Sequence, residues 1–86
     1  MNQIKLLHHS DGAHGWVEIK KSFFNQIADI ANISSYSYQD EQKYYLEEDC
    51  DAGVLFDALE KEGKPFMLIS IDDGPLSKIR GYDRIN

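Results

Sequence analysis

The sequence predicts an α+β fold: a single small domain in which two helices lie on one face of an antiparallel or mixed sheet. Short apolar segments bounded by turn residues predict strands, and two segments with helical apolar spacing predict helices, in the order β-β-α-β-β-α-β. With 86 residues, of which 42% are apolar, the chain fits one domain over residues 1–86. Residues 76–86 are polar and basic, and a short helix, an edge strand and a loosely ordered tail all stay open for them.

Two strands begin the predicted fold. Residues 4–9 are mostly apolar, and residues 16–19 form a second short apolar segment. The connection between them contains Asp11-Gly12, which is a turn signal because glycine adopts positive φ at little cost. We therefore expect the two strands to be joined by a loop at residues 10–14.

A helix is predicted after the second strand. The apolar residues from Phe23 onward recur at helical spacing, and the hydroxyl of Ser22 can accept a hydrogen bond from a backbone N–H of the first turn. The pattern predicts a helix that Ser22 caps at its N-terminus and that ends near Asn32. We expect Trp16 to pack against Phe23 or Phe24 of this helix.

Residues 34–38 and 43–48 predict a β-hairpin, because Tyr and Ser alternate in the first segment and a polar connection separates the two. With a four-residue loop, Tyr38 lies opposite residue 43 and Tyr36 lies opposite Tyr45. Alternation of side chains then places these three tyrosines on one face of the sheet. A shift of one residue would reverse that assignment.

A second helix and a final strand are predicted in the last third of the chain. Asp49 or Asp51 can cap the helix, whose apolar stripe runs through residues 54–59. Gly63 suits the residue just past its C-terminus. Residues 66–71 then give the strongest strand pattern in the chain.

The net charge of −6 is concentrated in residues 40–62, which hold nine acidic residues and two lysines. Phosphates require a cationic surface, so we expect neither direct nucleic-acid binding nor binding to an anionic membrane. The longest apolar run, residues 66–69, is far shorter than a membrane-spanning helix. The single cysteine excludes an internal disulfide and no signal-peptide pattern is present, so the predicted location is the cytoplasm.

The tyrosine-rich hairpin runs directly into the acidic residues 47–51, and together they predict a surface for a basic protein partner. Tyrosine is a rigid, amphipathic residue enriched at interfaces, and acidic neighbours favour a cationic partner. The predicted partner-binding residues are Tyr36, Tyr38, Tyr45, Glu47, Glu48, Asp49 and Asp51.

Three alternatives to this interpretation stay open. The acidic residues could serve only to cap the following helix and complement its dipole. The basic residues Lys78, Arg80 and Arg84 would partly neutralise the acidic surface if they fold back on it. A homodimer could form through the open sheet face or the apolar strand at residues 66–71.

A metal site is the alternative to a protein-binding surface. His8 and His14 lie on either side of a turn, and Glu48, Asp49 and Cys50 could complete a set of ligands for Zn²⁺. The spacing matches no standard zinc motif, and histidines at a strand end and in a loop often bond only to the backbone. The sequence therefore predicts no cofactor. The alternative is a zinc ion held by His8, His14 and Cys50, either in a metal-binding protein or in a small metal-dependent enzyme.

Three segments carry a resemblance to other proteins: HGW at 14–16, ISSYSYQ at 33–39 and YLEEDCD at 45–51. Together they resemble a group of short uncharacterised bacterial, plasmid and phage proteins. Ala13 stands where that group commonly has glycine. The resemblance implies a bacterial or mobile-element origin and implies no mechanism.

These observations favour a small acidic interaction module over an enzyme, since no motif assigns a nucleophile, a base and a transition-state stabiliser. An inhibitor or regulator of a basic or nucleic-acid-binding host protein, encoded by a phage or plasmid, would be a special case. This hypothesis predicts salt-sensitive binding that weakens when Glu47 and Glu48 are both replaced by Lys.

Overall fold

The computed structural model describes residues 3–85, which form a six-stranded mixed sheet with two helices. The strands are β1 (Ile4–Ser10), β2 (Gly15–Lys20), β3 (Tyr38–Gln39), β4 (Lys43–Glu47), β5 (Phe66–Asp72) and β6 (Asp83–Arg84), and the helices are α1 (Lys21–Ile27) and α2 (Ala52–Lys61). Short 3-10 helices span Ile30–Asn32 and Lys78–Gly81. The predicted α+β class and the predicted order of the main elements are confirmed. Within residues 3–85, no helix is long and apolar enough to cross a membrane.

The strands are ordered β5-β1-β2-β4-β3-β6 across the sheet. β5 runs parallel to β1, and every other neighbouring pair is antiparallel. Parallel neighbours need a long crossover connection, and here the crossover contains both helices. The two edges of the sheet are therefore β5, from the last third of the chain, and the two-residue strand β6.

The main hydrophobic core lies between the sheet and the two helices. Every second residue of β1, β2 and β4 points toward the helices, as strand geometry requires. The buried core residues on this helix face are Leu6, Val17, Ile19, Phe24, Ile33, Tyr44, Leu46, Ala52, Leu55 and Leu59. Both helices pack on this one face, as predicted.

A second, smaller core lies on the opposite face of the sheet. It consists of Trp16, Tyr38, Tyr45 and Ile79, with Tyr82 packed against it. The expectation that Trp16 packs against Phe23 or Phe24 is wrong, because Val17 points toward the helices and its neighbour Trp16 must point away. The 3-10 helix at residues 78–81 covers this half of the opposite face.

The first helix differs from its prediction at both ends. Lys20 rather than Ser22 is the residue before the helix, and it makes no side-chain capping bond. The helix ends at Ile27 because Ala28 is extended, with φ −148° and ψ 167°. The side chain of Asp29 then accepts the backbone N–H of Ala31 and starts a separate 3-10 turn. The polar Asp29 thus interrupts an apolar stripe that continues past it.

The tyrosine hairpin forms with a register two residues away from the predicted one. Tyr38 lies opposite Tyr45, and Asp40 accepts backbone N–H bonds from Gln42 and Lys43, which closes a tighter turn. A two-residue shift preserves the face, so Tyr38 and Tyr45 do share one side of the sheet, as predicted. Tyr36 precedes β3 and lies in a turn, so the prediction that it lies in the strand opposite Tyr45 is wrong. Asp51 holds this turn by accepting the hydroxyl groups of Ser34 and Ser37.

The second helix ends as its sequence indicates. Gly63 has φ +64°, and the backbone N–H of Lys64 donates to the carbonyl of Leu59. This pattern is the glycine-terminated helix end in which a left-handed residue lets the chain satisfy the last carbonyls. It directs the chain through Pro65 into β5.

Candidate interaction cleft

A cleft of about 360 Å³ opens on the opposite face of the sheet, where β2 begins and β4 ends. The β1–β2 loop, the turn before β3, the β4–α2 junction and the C-terminal segment (residues 73–85) surround it. The cleft is lined by His14, Trp16, Tyr36, Tyr38, Glu47, Asp49, Cys50, Arg80 and Arg84. It therefore unites six residues of the predicted partner and metal sites with three that were not assigned to either.

Three aromatic side chains line the cleft, and they differ in exposure. Trp16 and Tyr38 are buried and meet edge to face, with ring centroids 6.2 Å apart and an interplanar angle of 72°. Such pairs add a modest stabilisation beyond the area they bury. Tyr36 is 62% exposed and stands out from the turn before β3. Two of the rings thus form a fixed wall, and the third presents its surface to solvent.

Arg80 closes one side of the cleft and is itself held in place. Its guanidinium lies 5.3 Å from the centroid of the Trp16 ring, within range of a cation–π interaction. Nε and Nη2 donate to the carboxylate of Asp11, whose side chain is fully buried. The bond with Arg80, together with backbone N–H bonds from Ser77, Ala13 and His14, holds the pKa of Asp11 far below its ordinary value. The positive charge of Arg80 is therefore paired within the fold.

Arg84 forms a similar contact at the other aromatic wall. Its guanidinium lies 5.2 Å from the centroid of the Tyr38 ring and donates to the backbone carbonyl of Ser35. Arg80 and Arg84 line the same cleft as Glu47 and Asp49. Two of the three C-terminal basic residues thus do fold back, and they make the cleft mixed in charge rather than purely acidic, whereas Lys78 does not line it.

Glu47 organises the β4–α2 junction from a buried position. One of its carboxylate oxygens, Oε1, accepts the backbone N–H groups of Asp49 and Cys50 at 2.9 and 2.8 Å. The other, Oε2, lies 3.9 Å from Nδ1 of His14. Replacement of Glu47 by Lys would place a cation in this buried turn and remove both backbone acceptors, so Glu47 is a poor position for testing surface charge.

Asp51 is buried as well and ties two segments together. Its carboxylate accepts the backbone N–H and the hydroxyl of Ser34 at 3.0 and 2.7 Å, and it also accepts the hydroxyl of Ser37. The Ser37 hydroxyl in turn accepts the backbone N–H of Glu47. Asp51 directly precedes α2 but forms no side-chain cap with it. Its carboxylate instead accepts the hydrogen bonds that hold the turn before β3.

Tyr45 faces the same side of the sheet as Tyr38 but lies beneath Tyr82, with ring centroids 5.1 Å apart. Its hydroxyl donates to Asp40 at 2.7 Å. Burial, together with this bond to a carboxylate, raises the pKa of the Tyr45 hydroxyl well above its ordinary value. Tyr45 therefore supports the hairpin from inside the smaller core.

The exposed members of the predicted partner surface are Tyr36, Glu48 and Asp49. Cys50 is also exposed, and residual burial together with a bond to Glu47 raises the pKa of its thiol. A thiol with a raised pKa is a poor nucleophile near neutral pH. The accessible groups at the cleft are consequently the phenol ring of Tyr36 and the carboxylate of Asp49, because Glu48 does not line the cleft and bonds to His8 instead.

The three residues of the alternative zinc site are divided between the two faces of the sheet. Nε2 of His8 lies 2.8 Å from Oε1 of Glu48 on the helix face, whereas His14 and Cys50 line the cleft on the opposite face. Across residues 3–85, no group of three or more His, Cys, Asp and Glu side chains is arranged to hold a metal ion.

A polar network continues from the cleft along the same face. Both ring nitrogens of His9 have carboxylate partners, with Nε2 at 2.9 Å from Glu18 and Nδ1 at 3.2 Å from Asp73. Asp73 also accepts the hydroxyl of Ser77. Burial raises the pKa of Asp73, but the bonds from Ser77 and His9 outweigh it and lower that pKa overall. The network anchors the start of the C-terminal segment to the sheet.

Trp16, Arg80 and Arg84 are the cleft residues that the sequence did not assign to a binding surface. The strand pattern at 16–19 could have indicated that Trp16 points away from Val17, since alternation alone requires it. Asp11 and Arg80 are far apart in the chain, and no local pattern indicates their contact. Comparison with models of protein families, with curated proteins and with solved structures finds no match for this chain.

Proposed function

We propose that this chain is a non-enzymatic protein-interaction module that binds a basic segment of a protein partner at the cleft. The observation that carries the proposal is the position of the exposed Tyr36 beside the carboxylates of Glu47 and Asp49 in one concave site. Aromatic and charged anchors that fill small pockets supply most of the binding energy at protein interfaces.

The charge of the site favours a cationic partner even though two arginines line it. Arg80 is neutralised by the buried carboxylate of Asp11, so it adds little net charge. Arg84 is then opposed by the carboxylates of Glu47 and Asp49, which line the same cleft. The chain as a whole has a net charge of −6, which attracts a basic protein from a distance.

The internal contacts of the cleft indicate which partner residue fits best. Arg80 lies over the Trp16 ring and Arg84 lies over the Tyr38 ring. Within the described part of the chain, no cation lies over the ring of Tyr36. An arginine from a partner could stack on the ring of Tyr36 while its guanidinium donates to the carboxylate of Asp49. The planar guanidinium can stack and donate two hydrogen bonds to one carboxylate, so the site favours Arg over Lys.

A nucleic-acid-binding protein is the partner class that presents such arginines on an accessible surface. Binding here would cover residues that the partner uses for phosphate contacts, and it would inhibit or regulate the partner by competition. This extends the proposal to an inhibitor or regulator, the role that a phage- or plasmid-encoded protein of this kind would have. The partner is engaged by protein contacts, and this chain itself does not bind nucleic acid.

The first experiment uses the fluorescence of Trp16, the only tryptophan in the chain, because it lines the cleft. We would titrate the purified protein with a short arginine-rich peptide and, as controls, with a lysine-rich and a glutamate-rich peptide of equal length. We expect saturable binding of the arginine-rich peptide, weaker binding of the lysine-rich one, and loss of affinity as salt concentration rises. Equal affinity for all three peptides, or binding that salt does not weaken, would contradict the proposal.

Matched variants locate the binding surface. Asp49→Lys and Tyr36→Ser remove the two exposed contacts. As controls outside the cleft, Glu60→Lys replaces another exposed acid by Lys, and Leu76→Ser replaces another exposed large apolar residue by Ser. We expect the first two to weaken binding about tenfold each, which corresponds to about 1.4 kcal/mol. The controls should bind within about twofold of the unaltered protein, with the small general decrease that Glu60→Lys causes through net charge. Equal losses in both sets would place the interaction elsewhere.

A further inference from the structure

The two edges of the sheet are protected to very different extents. β6 is two residues long, and both residues, Asp83 and Arg84, are charged. β5 is seven residues long, and from Phe66 to Ile71 it contains no charged residue. Proteins usually protect an edge strand with charges, proline, a bulge or a short length, since an open edge pairs readily with another strand. The only charge within β5 is Asp72 at its last position, so the six residues before it have none of these protections.

The free hydrogen-bonding groups of β5 can be assigned from its pairing with β1. The backbone N–H of Ile4 donates to the carbonyl of Pro65, and the N–H of Asp73 donates to the carbonyl of Ser10. Because backbone groups alternate in direction along a strand, the odd-numbered residues from 65 to 73 face β1. The even-numbered residues, 66, 68, 70 and 72, therefore direct their N–H and carbonyl groups outward from the sheet.

We propose that a second copy of this chain binds at this edge, so that two β5 strands pair antiparallel about a two-fold axis at Ile69. Only a two-fold axis at Ile69 lets all seven residues of β5 pair with the same strand of the second copy. With that axis, each residue whose backbone groups point outward lies opposite another such residue. Leu68 then lies opposite Ser70 of the second copy, and Met67 lies opposite Ile71 of the second copy. Leu68 and Met67 are 42% and 41% exposed in the single chain, and the pairing would bury both.

The opposite charges at the two ends of β5 favour a second copy of this chain as the partner, and they favour antiparallel pairing of the two strands. Lys64 precedes the strand and Asp72 ends it, and both side chains are exposed. In the antiparallel pair, Lys64 of each copy is the diagonal neighbour of Asp72 in the other, a distance that a lysine side chain can span. A parallel pair would instead place Lys64 near Lys64 and Asp72 near Asp72. The strand thus carries opposite charges at its two ends, and symmetric pairing uses both.

The paired strands would extend the two sheets into one continuous sheet. The cleft lies at the other side of the domain, on β2, β4 and β3, so both copies would keep it open. A seven-residue strand is much smaller than the 20–30 residues per partner of a standard interface. We therefore expect a dimer that forms with increasing concentration.

The mass of the untagged protein, measured by light scattering over a concentration series, tests the pairing. We expect a rise from one chain to two. Ser70→Pro removes an outward-facing N–H without removing a bond to β1, and proline is tolerated at that kind of edge position. It should stay monomeric, whereas the matched variant Ser70→Ala keeps the N–H and should dimerise. A monomer at every concentration for the unaltered chain, or a dimer that Ser70→Pro preserves, would overturn the proposal.

A cysteine scan tests the register and does not depend on how well Ser70→Pro folds. In a Cys50→Ser background, Ile69→Cys would place two thiols at the two-fold axis, where a non-hydrogen-bonded antiparallel pair has Cα atoms about 4.5 Å apart. That separation suits a disulfide. Met67→Cys is the control, because its two thiols would lie on the order of 13 Å apart along the strands. We expect a disulfide-linked dimer on mild oxidation only for Ile69→Cys, and equal cross-linking of both variants would refute this register.

Discussion

The carboxylate of Asp11 binds the guanidinium of Arg80 at two points, with Nε 2.6 Å from Oδ2 and Nη2 3.0 Å from Oδ1. The same carboxylate accepts the backbone N–H of Ser77 and two N–H groups of its own loop. This ion pair therefore joins the β1–β2 loop to the C-terminal segment and fixes one wall of the cleft. Paired and planar contacts of this kind are stronger and more specific than single ion pairs.

The low pKa of Asp11 predicts how stability depends on pH. The pKa of Asp11 is lower in the folded state than in the unfolded state, so its ionised carboxylate stabilises the fold. This stabilisation is fully present above the unfolded-state pKa and is lost as pH falls through the folded-state pKa. We expect Asp11→Asn to lower the melting temperature at pH 7, and the difference from the unaltered chain to shrink below about pH 4. Thermal unfolding at a series of pH values measures it. Asp57→Asn, at an exposed position on α2, should show no such difference, and a constant deficit for Asp11→Asn at all pH values would contradict the assignment.

Asp51 and Asp49 should respond very differently to the same substitution. Asp51 is buried and accepts three hydrogen bonds, whereas Asp49 is exposed. We expect Asp51→Ala to lower the free energy of unfolding by about 3 kcal/mol, since it leaves buried donors without a partner. Asp49→Ala should stay within about 0.5 kcal/mol of the unaltered chain. Urea denaturation of both variants measures the values, and similar losses would show that the acidic run acts as one unit.

Gly15 allows the close approach of His8 and Glu48 across the helix face. A Cβ atom at position 15 would lie 2.7 Å from Nε2 of His8 and would overlap the carboxylate of Glu48. Glu48 is partly exposed and flexible, so we expect Gly15→Ala to break the His8–Glu48 bond at a cost of about 1 kcal/mol or less. The ¹⁵N chemical shift of the His8 ring reports the bond. Gly53→Ala has open space around it and should leave that shift unchanged; an unchanged shift in Gly15→Ala as well would show that the bond is absent in solution.

The zinc alternative makes a prediction that separates it from the interaction module. A protein that holds zinc through His8, His14 and Cys50 would show the added mass of one ion in native mass spectrometry, and a chelator would remove it and lower the melting temperature. The proposed interaction module predicts the mass of the chain alone and a melting temperature that the chelator does not change. The protein should be produced without a histidine tag, because a tag binds metal by itself.

The sequence was sufficient for the elements whose signals are local. Strand β5 and the end of α2 at Gly63 follow from an apolar run and from a glycine in the left-handed region, and both lie where they were predicted. The hairpin register was wrong by two residues because the side chain of Asp40 closes a tighter turn than loop length alone suggests. Since the shift was even, Tyr38 and Tyr45 retained their face, whereas Tyr36 lies in the turn before the strand.

The cleft depends on contacts that local patterns do not encode. Arg80 and Arg84 reach Trp16 and Tyr38 only because β6 and the 3-10 helix before it return to the far edge of the sheet. Burial of Asp51 also required knowledge of where Ser34 and Ser37 lie. The acidic run looked uniform in the sequence, and the fold divides it into buried residues that brace the turns and exposed residues that are free to bind.

The parallel pairing of β1 with β5 fixes the order in which the sheet can be completed during translation. Leu6 of the first strand lies opposite Leu68, which leaves the ribosome only after both helices have been made. Until then, one edge of β1 has no neighbour, and contacts between such distant segments slow folding. The edge of β1 that β5 covers in the folded domain therefore stays open until residues 66–72 have been made.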